Sequence, residues 1–213
     1  GFEAAEMSVE EYHYFQSAAA GIELVAVKGA VEQMRAIKDS VELDKLRRAC
    51  AMTDRLFDFV LGFIRPGMRE EELATEMDIW MIRHGMSSSF GTIVASGHRG
   101  ALPHGRASSK VMEKGELVTM DFGGFLDGYT SDMTRTVCLG KADDKQKEIY
   151  SIVLESQLAG IKAAKAGLTG REVDSISRQV IESKGYGQYF GHGLGHGIGL
   201  ETHEPPGLRR SRP

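Results

Sequence analysis

This chain has little cysteine, little proline, few aromatic residues and no long uninterrupted apolar run. Its 213 residues include only Cys50 and Cys138. No Cys or His stands near either thiol at metal-ligand spacing, which excludes a cysteine-rich metal site. Both thiols read as small buried hydrophobes, a usage that suits a reducing cytosol. Charges interrupt every apolar stretch before it reaches membrane-spanning length. Basic runs are missing too. The net charge is −4, and no Lys/Arg stretch is long enough to follow a phosphate backbone, so nucleic acid is not an expected partner. The short cluster Arg209, Arg210 and Arg212 reads as a solvated loop. The opening Gly1 to Glu6 lacks the basic-then-apolar order of a signal peptide, so none is expected. With 41% hydrophobic residues, the chain can fill one sizeable core.

The sequence divides near residue 40. Residues 1–40 read as the remnant of a preceding domain and its linker, with a helix from Ser8 to Tyr14 and a short strand from Glu23 to Val27. From Asp39 the pattern strengthens. Asp39 or Ser40 can cap a helix with Glu42 in its first turn. Leu43, Leu46, Cys50, Thr53, Leu56, Phe57, Val60 and Ile64 then recur at helical spacing. Pro66-Gly67 stops that helix. A second helix spans about Glu70 to His84, and Gly85 sits where a left-handed cap is expected. Thr92 to Ala95 reads as a strand, and Gly97 to Gly100 as a loop. Leu117 to Phe122 and Tyr129 to Val137 read as two strands of a hairpin around Gly123, Gly124, Asp127 and Gly128. Two more helices follow. The first carries Ile149, Ile152, Val153 and Ser156. The second is opened by a Thr169/Glu172 capping box and faces inward through Val173, Ile176, Val180 and Ile181. The two helix pairs match at an offset of 100 residues (Gly67 and Gly167, Gly85 and Gly185), which reads as an internal duplication. The expected fold class is therefore α+β, with two similar halves and a cleft between them.

Three segments carry chemistry. In the hairpin, a two-residue loop at Asp127-Gly128 makes opposed residue numbers sum to 255, and a four-residue loop makes them sum to 253. Either register puts Asp121 and Asp132 on one face, directly opposite or offset by one pair. Two carboxylates so close repel unless a cation or proton lies between them. The second segment runs from Gly191 to Pro205 and holds His192, His196 and His203. Glycine at every second position from 191 to 199 destroys helix propensity, so the stretch is expected to be extended. His192 and His196 would then stand roughly 13 Å apart and could not share one metal. The third segment is the loop Leu102-Pro103-His104-Gly105, which alone is weak evidence.

Taken together, the Pro-His-Gly loop, the Asp…Gly-Tyr…Asp-x-Thr-Arg hairpin and the Gly-His-Gly…His-Glu-x-Pro segment resemble the methionine aminopeptidase/prolidase/creatinase superfamily. They match its Xaa-Pro aminopeptidase and prolidase branch in particular. The resemblance covers about residue 40 to the C-terminus. It implies a pita-bread fold, in which helices cover a curved, mostly antiparallel sheet. It implies a two-metal exopeptidase that removes the residue preceding proline, using two divalent ions, with Mn²⁺ expected and Co²⁺, Zn²⁺ or Fe²⁺ as alternatives. By position, Asp121, Asp132 and His196 resemble metal ligands. His203 and His104 resemble the histidines that bind substrate and steady the intermediate, and His192 resembles one lining the proline pocket. Glu204 matches no family ligand. The family supplies two further glutamate ligands after the His-Glu-x-Pro segment, and these 213 residues do not include them. The polypeptide alone is therefore expected to be inactive, and a cytoplasmic homodimer is expected for the complete enzyme. A methionine aminopeptidase-like exopeptidase, a metal-free creatinase-like hydrolase and a non-catalytic module of the same fold remain as alternatives.

Overall fold

The computed structural model describes residues 1–210. It comprises two compact units, Gly1–Lys38 and Asp39–Pro213. The first holds β1 (Phe2–Glu3), α1 (Val9–Ala18), β2 (Ala26–Val27) and α2 (Ala30–Arg35). Ser8 and Glu11 form a capping box for α1, and neither helix buries a residue. The strand expected over residues 23–27 is only two residues long and pairs in parallel with β1. A segment with so little burial has little to hold a longer strand in place.

The second unit opens with α3 (Ser40–Phe63) and α4 (Glu70–Arg83). Asp39 caps α3 by accepting from the Val41 and Glu42 amides, and Glu42 reaches back to complete the box. The helix buries Ala49, Thr53, Leu56 and Val60, close to the expected stripe, while Leu43 is exposed. Next come β3 (Ser87–Ser88), β4 (Ile93–Ser96), β5 (Leu117–Phe122), β6 (Gly124–Leu126), β7 (Tyr129–Thr130) and β8 (Met133–Cys138). Between β4 and β5, residues 97–101 form a 3-10 turn where a plain loop was expected. Strands β4, β5 and β8 make one antiparallel sheet, and β3, β6 and β7 another.

Alternation along β5 sets the two faces of the sheet. Val118, Met120 and Phe122 are fully buried and pack with Leu56, Val60, Leu73, Met77 and Met81 from the helices. Asp121 and Thr119 lie on the opposite, half-open face. The hairpin turns at Asp127-Gly128, both with positive φ (52° and 81°), as a two-residue turn of the primed type requires. Phe125 pairs with Thr130 and Asp121 with Thr134. The register is thus the one summing to 255. The expected single partner strand is broken at Ser131-Asp132, where Ser131 bonds Gly124 through both its amide and its hydroxyl. This fold-back passes so near Gly123 that an added Cβ would lie 2.0 Å from the Ser131 carbonyl oxygen. Gly123→Ala should therefore destabilise the unit by about 3 kcal/mol through overpacking. Thermal unfolding of the variant checks this, and an unchanged midpoint would refute it.

The second half follows as α5 (Asp144–Ala163), α6 (Gly170–Ser183), β9 (Gly195–Gly197) and β10 (Glu204–Leu208). The offset of 100 recurs in the structure. α4 and α6 both run from position 70 to 83 of their half, and α3 and α5 end at Phe63 and Ala163. Gly67 and Gly167 have φ of 91° and 92°, Gly85 and Gly185 of 74° and 84°. Even a tether recurs. Thr92 Oγ1 donates to Asp78 Oδ1 at 2.6 Å, and Arg178 Nη2 donates to the His192 carbonyl at 2.7 Å.

The inner faces of the second helix pair differ from expectation. α6 buries Val173, Asp174, Ser177 and Arg178, whereas Ile176 is exposed. α5 buries Ile152, Ser156 and Gly160 and leaves Val153, Leu158 and Ile161 in solvent. Ser156 and Ser177 bond each other across the helices at 2.6 Å, and each hydroxyl also reaches the other residue's carbonyl. Small residues here let the helices approach closely. A groove of about 300 Å³ lies between β8 and α5, lined by Leu117, Val137, Cys138 and Tyr150. At the chain end Arg210 pairs with Glu182. Arg212 lies outside the described residues. Among the described residues, no helix is long and apolar enough to cross a membrane.

Candidate metal centre

Asp121 reaches the open face because it sits between the core residues Met120 and Phe122 on β5. Asp132 stands just ahead of β8, one pair off from Asp121, so the two carboxylates are diagonal neighbours rather than directly opposed. Thr134, the strand partner of Asp121, donates its hydroxyl to Asp121 Oδ1 at 2.9 Å. That bond fixes the carboxylate's rotamer. The Asp-x-Thr spacing together with the register could have identified Thr134 in advance.

Both acids hold their protons more tightly than usual. Burial raises Asp121, and the Thr134 hydrogen bond with His104, His196 and His203 only partly offsets it. Burial also raises Asp132, with the Asp121 charge second, against the pull of His196 and His203. Among the described residues neither Asp pairs with a Lys or Arg. Two desolvated like charges without a Lys or Arg partner call for a cation or a shared proton.

The histidines come from two directions. β9 carries His196, whose Nε2 lies 3.3 Å from Asp132 Oδ2. Its Nδ1 lies 2.9 Å from the Gly197 carbonyl, which orients the ring. His203 packs against His196 in a tilted arrangement, with centroids 4.2 Å apart and an angle of 34°. His104 comes from the exposed loop between β4 and β5 and acts electrostatically on Asp121. His192 stands apart from this group. Its ring meets Phe190 edge-on at 5.0 Å, and its Nδ1 lies 2.8 Å from the Gly193 carbonyl.

The glycine-rich segment is not one long strand, as its alternation suggested. Only Gly195–Gly197 is strand, paired with β10. Its glycines serve close approach. A Cβ on Gly197 would lie 2.4 Å from the Pro205 carbonyl oxygen, and one on Gly193 would lie 2.8 Å from that of Leu208. Glu204 is buried and accepts from the Glu201 amide at 3.1 Å, which suits a structural part.

An unanticipated ion pair holds the start of this segment. Arg178 binds both oxygens of Asp174, at 2.9 and 3.1 Å. It also donates to the carbonyls of Phe190 and His192, each at 2.7 Å, and covers the Phe190 ring at 4.1 Å. Asp174 in turn accepts from the Leu194 amide at 2.9 Å. The i, i+4 spacing of an acid and an arginine on one helix was the only sequence signal.

Among the described residues, no three His, Cys, Asp or Glu side chains close on one point as a cage. Asp132 and His196 meet each other instead. The donors on offer, two carboxylates and one imidazole, nonetheless fit a divalent first-row cation better than a thiolate-seeking one.

Comparison with known proteins finds close relatives. An Xaa-Pro dipeptidase from Pyrococcus furiosus is 44% identical over 185 residues, covering 86% of this chain and 53% of that protein. The structure of an Xaa-Pro dipeptidase from Bacillus anthracis matches with a TM-score of 0.95 at 50% identity, covering 98% of this chain and 59% of that one. An X-Pro aminopeptidase structure from Thermotoga maritima MSB8 matches at 0.91 and 43%, covering 97% and 59%. The chain thus spans between half and three-fifths of the length of these relatives. The two-halved, mainly antiparallel architecture is the pita-bread arrangement expected from the motifs. The sequence model of metallopeptidase family M24 matches residues 44–213, and the chain belongs to that family.

Proposed function

We propose that the protein containing this chain is a two-metal exopeptidase that removes the residue preceding proline from short peptides or dipeptides. The observation that carries this reading is the pair of desolvated carboxylates Asp121 and Asp132, with His196 Nε2 3.3 Å from Asp132 Oδ2 and His203 packed against the His196 ring. Asp121, Asp132 and His196 would hold the metal, for which we propose Mn²⁺. When bound, such ions supply a water acidic enough to ionise near neutral pH and a Lewis acid for the scissile carbonyl. His203 and His104 would hydrogen-bond the substrate carbonyl and the charge that develops on it. Thr134 keeps Asp121 in its rotamer throughout. His192, held away from the acids, would line the pocket for the proline ring.

Three donors are too few for two cations. We therefore propose that further carboxylates complete the centre and that the 213-residue polypeptide alone is inactive. Residues 1–40 belong, in this reading, to a separate N-terminal domain, and the whole enzyme is a cytoplasmic homodimer. The test is hydrolysis of Ala-Pro by the full-length protein with Mn²⁺, with chelator, and by the 213-residue chain. Turnover is expected only in the first case. Preference for Met-Ala over Ala-Pro would point instead to methionine aminopeptidase-like action. Metal-independent turnover would point to creatinase-like chemistry, and no turnover at all to a binding module. His192→Ala should raise KM for Ala-Pro about 10-fold with kcat nearly unchanged, as loss of uniform binding requires.

A further inference from the structure

One carboxylate outside the centre accepts five hydrogen bonds. Glu70, the first residue of α4, is fully buried. Its Oε1 accepts from the amide and hydroxyl of Ser96, at 2.7 and 2.9 Å. Its Oε2 accepts from Arg99 Nε at 3.0 Å and from the amide and hydroxyl of Ser108, at 3.2 and 2.7 Å. Burial alone would raise its proton affinity, but these bonds and the Arg99 charge outweigh it and hold the carboxyl below its ordinary range.

The five donors come from three places in sequence. Ser96 ends β4, Arg99 lies in the turn after it, and Ser108 stands on the return path toward β5. Arg99 also donates through Nη2 to the Arg106 carbonyl at 2.7 Å. The excursion from 100 to 105 is thus closed at its base. Within it the Gly105 amide bonds the Leu102 carbonyl at 3.1 Å, and Pro103-His104 form the exposed tip of a turn. Gly105 is buried against Leu102 and Ala95. A short loop clamped at both ends has few ways to move its tip.

We propose that Glu70 is a positioning residue for His104, setting through Ser96, Arg99 and Ser108 where that imidazole stands relative to Asp121. The inference rests on the reading of His104 as a substrate-contacting histidine. Glu70→Gln is nearly isosteric, but its amide group must face hydroxyl, amide or guanidinium donors, so part of the clamp opens. Ser108→Ala removes one donor and serves as the milder variant if Glu70→Gln does not fold.

The test has two arms. In the first, amide hydrogen exchange is followed in the full-length protein. Glu70→Gln is expected to speed exchange at residues 97–108 at least 10-fold while α3 and α5 stay as protected as before, and Ser108→Ala should act in the same direction more weakly. Uniform loss of protection, or none at the loop in either variant, would overturn the proposal. In the second, kcat for Ala-Pro is compared in the full-length protein for Glu70→Gln, His104→Ala and the double variant. A residue acting through His104 should cost little more once His104 is gone. Fully additive losses would mean that Glu70 serves the fold generally, and the inference would fail while the reading of His104 stood. An unchanged kcat/KM in His104→Ala would instead sink that reading and the inference with it.

Discussion

Asp132→Asn is expected to make the metal-free chain more stable and to cost the full-length protein more than about 100-fold in Mn²⁺ affinity. The two effects share one origin. Burial and the neighbouring Asp121 raise the proton affinity of Asp132 above the usual aspartate range. A carboxyl raised in the folded state is penalised by folding whenever it is ionised, so at neutral pH its charge works against the fold. Asparagine removes that charge and keeps an amide beside His196 Nε2. The gain should be roughly 1–2 kcal/mol, the scale of a like-charge contact at intermediate dielectric. The same charge would attract a cation, and losing a direct ligand should exceed the 10–100-fold typical of outer-shell partners. Thermal unfolding in chelator and calorimetric titration with Mn²⁺ measure the two. Unchanged metal affinity in Asp132→Asn would remove Asp132 from the ligand set.

Arg178→Ala should be the most damaging single change outside the proposed metal centre, at about 3–5 kcal/mol. It leaves Asp174, which is fully buried, without its cation, and it strips donors from two carbonyls of the segment leading to His196. For a chain of this size that corresponds to a fall in Tm of roughly 6–20 °C. The pH dependence has a definite sign. Burial would raise Asp174, but Arg178 and the Leu194 amide more than compensate, and its carboxyl lies below the ordinary value of 3.8. A depressed folded pKa contributes stability that is complete above the unfolded value and lost as pH falls through the folded one. The wild-type chain should therefore lose this contribution only below pH 3.8, and Arg178→Ala should lack that acid-sensitive component. Unfolding midpoints measured across acid pH decide it, and a loss under 1 kcal/mol would show that the pair is dispensable.

Where local chemistry dominates, the sequence was a good guide to the structure. Asp127-Gly128 could form a two-residue turn because both positions tolerate positive φ, and of the two registers the sequence leaves open that turn is the one adopted. The capping boxes at Asp39 and Thr169 did the same for helix starts. Reading failed where function of a residue depends on what lies across from it. On α6 the periodicity credited Ile176 and overlooked Asp174 and Arg178, because an apolar count cannot see a polar pair satisfied by backbone from twelve to twenty residues away. The glycines of 191–199 gave the same kind of error. They were read as a strand pattern, but Gly193 and Gly197 are needed for the nearness of the chain around β10. His196 was placed by its motif, yet its 3.3 Å approach to Asp132 depends on that packing.

The duplicated halves give the proposed metal centre a second consequence. Asp121 lies in the first repeat and His196 in the second, 75 positions later in the sequence. A cation gripped by both would be a cross-link across the seam of the duplication. If it restricts the unfolded chain as a disulfide does, closing a loop of that length is worth about 4 kcal/mol. Chelation would then resemble cutting a staple, and the seam, rather than either repeat's own core, would be the first part of the molecule to come apart.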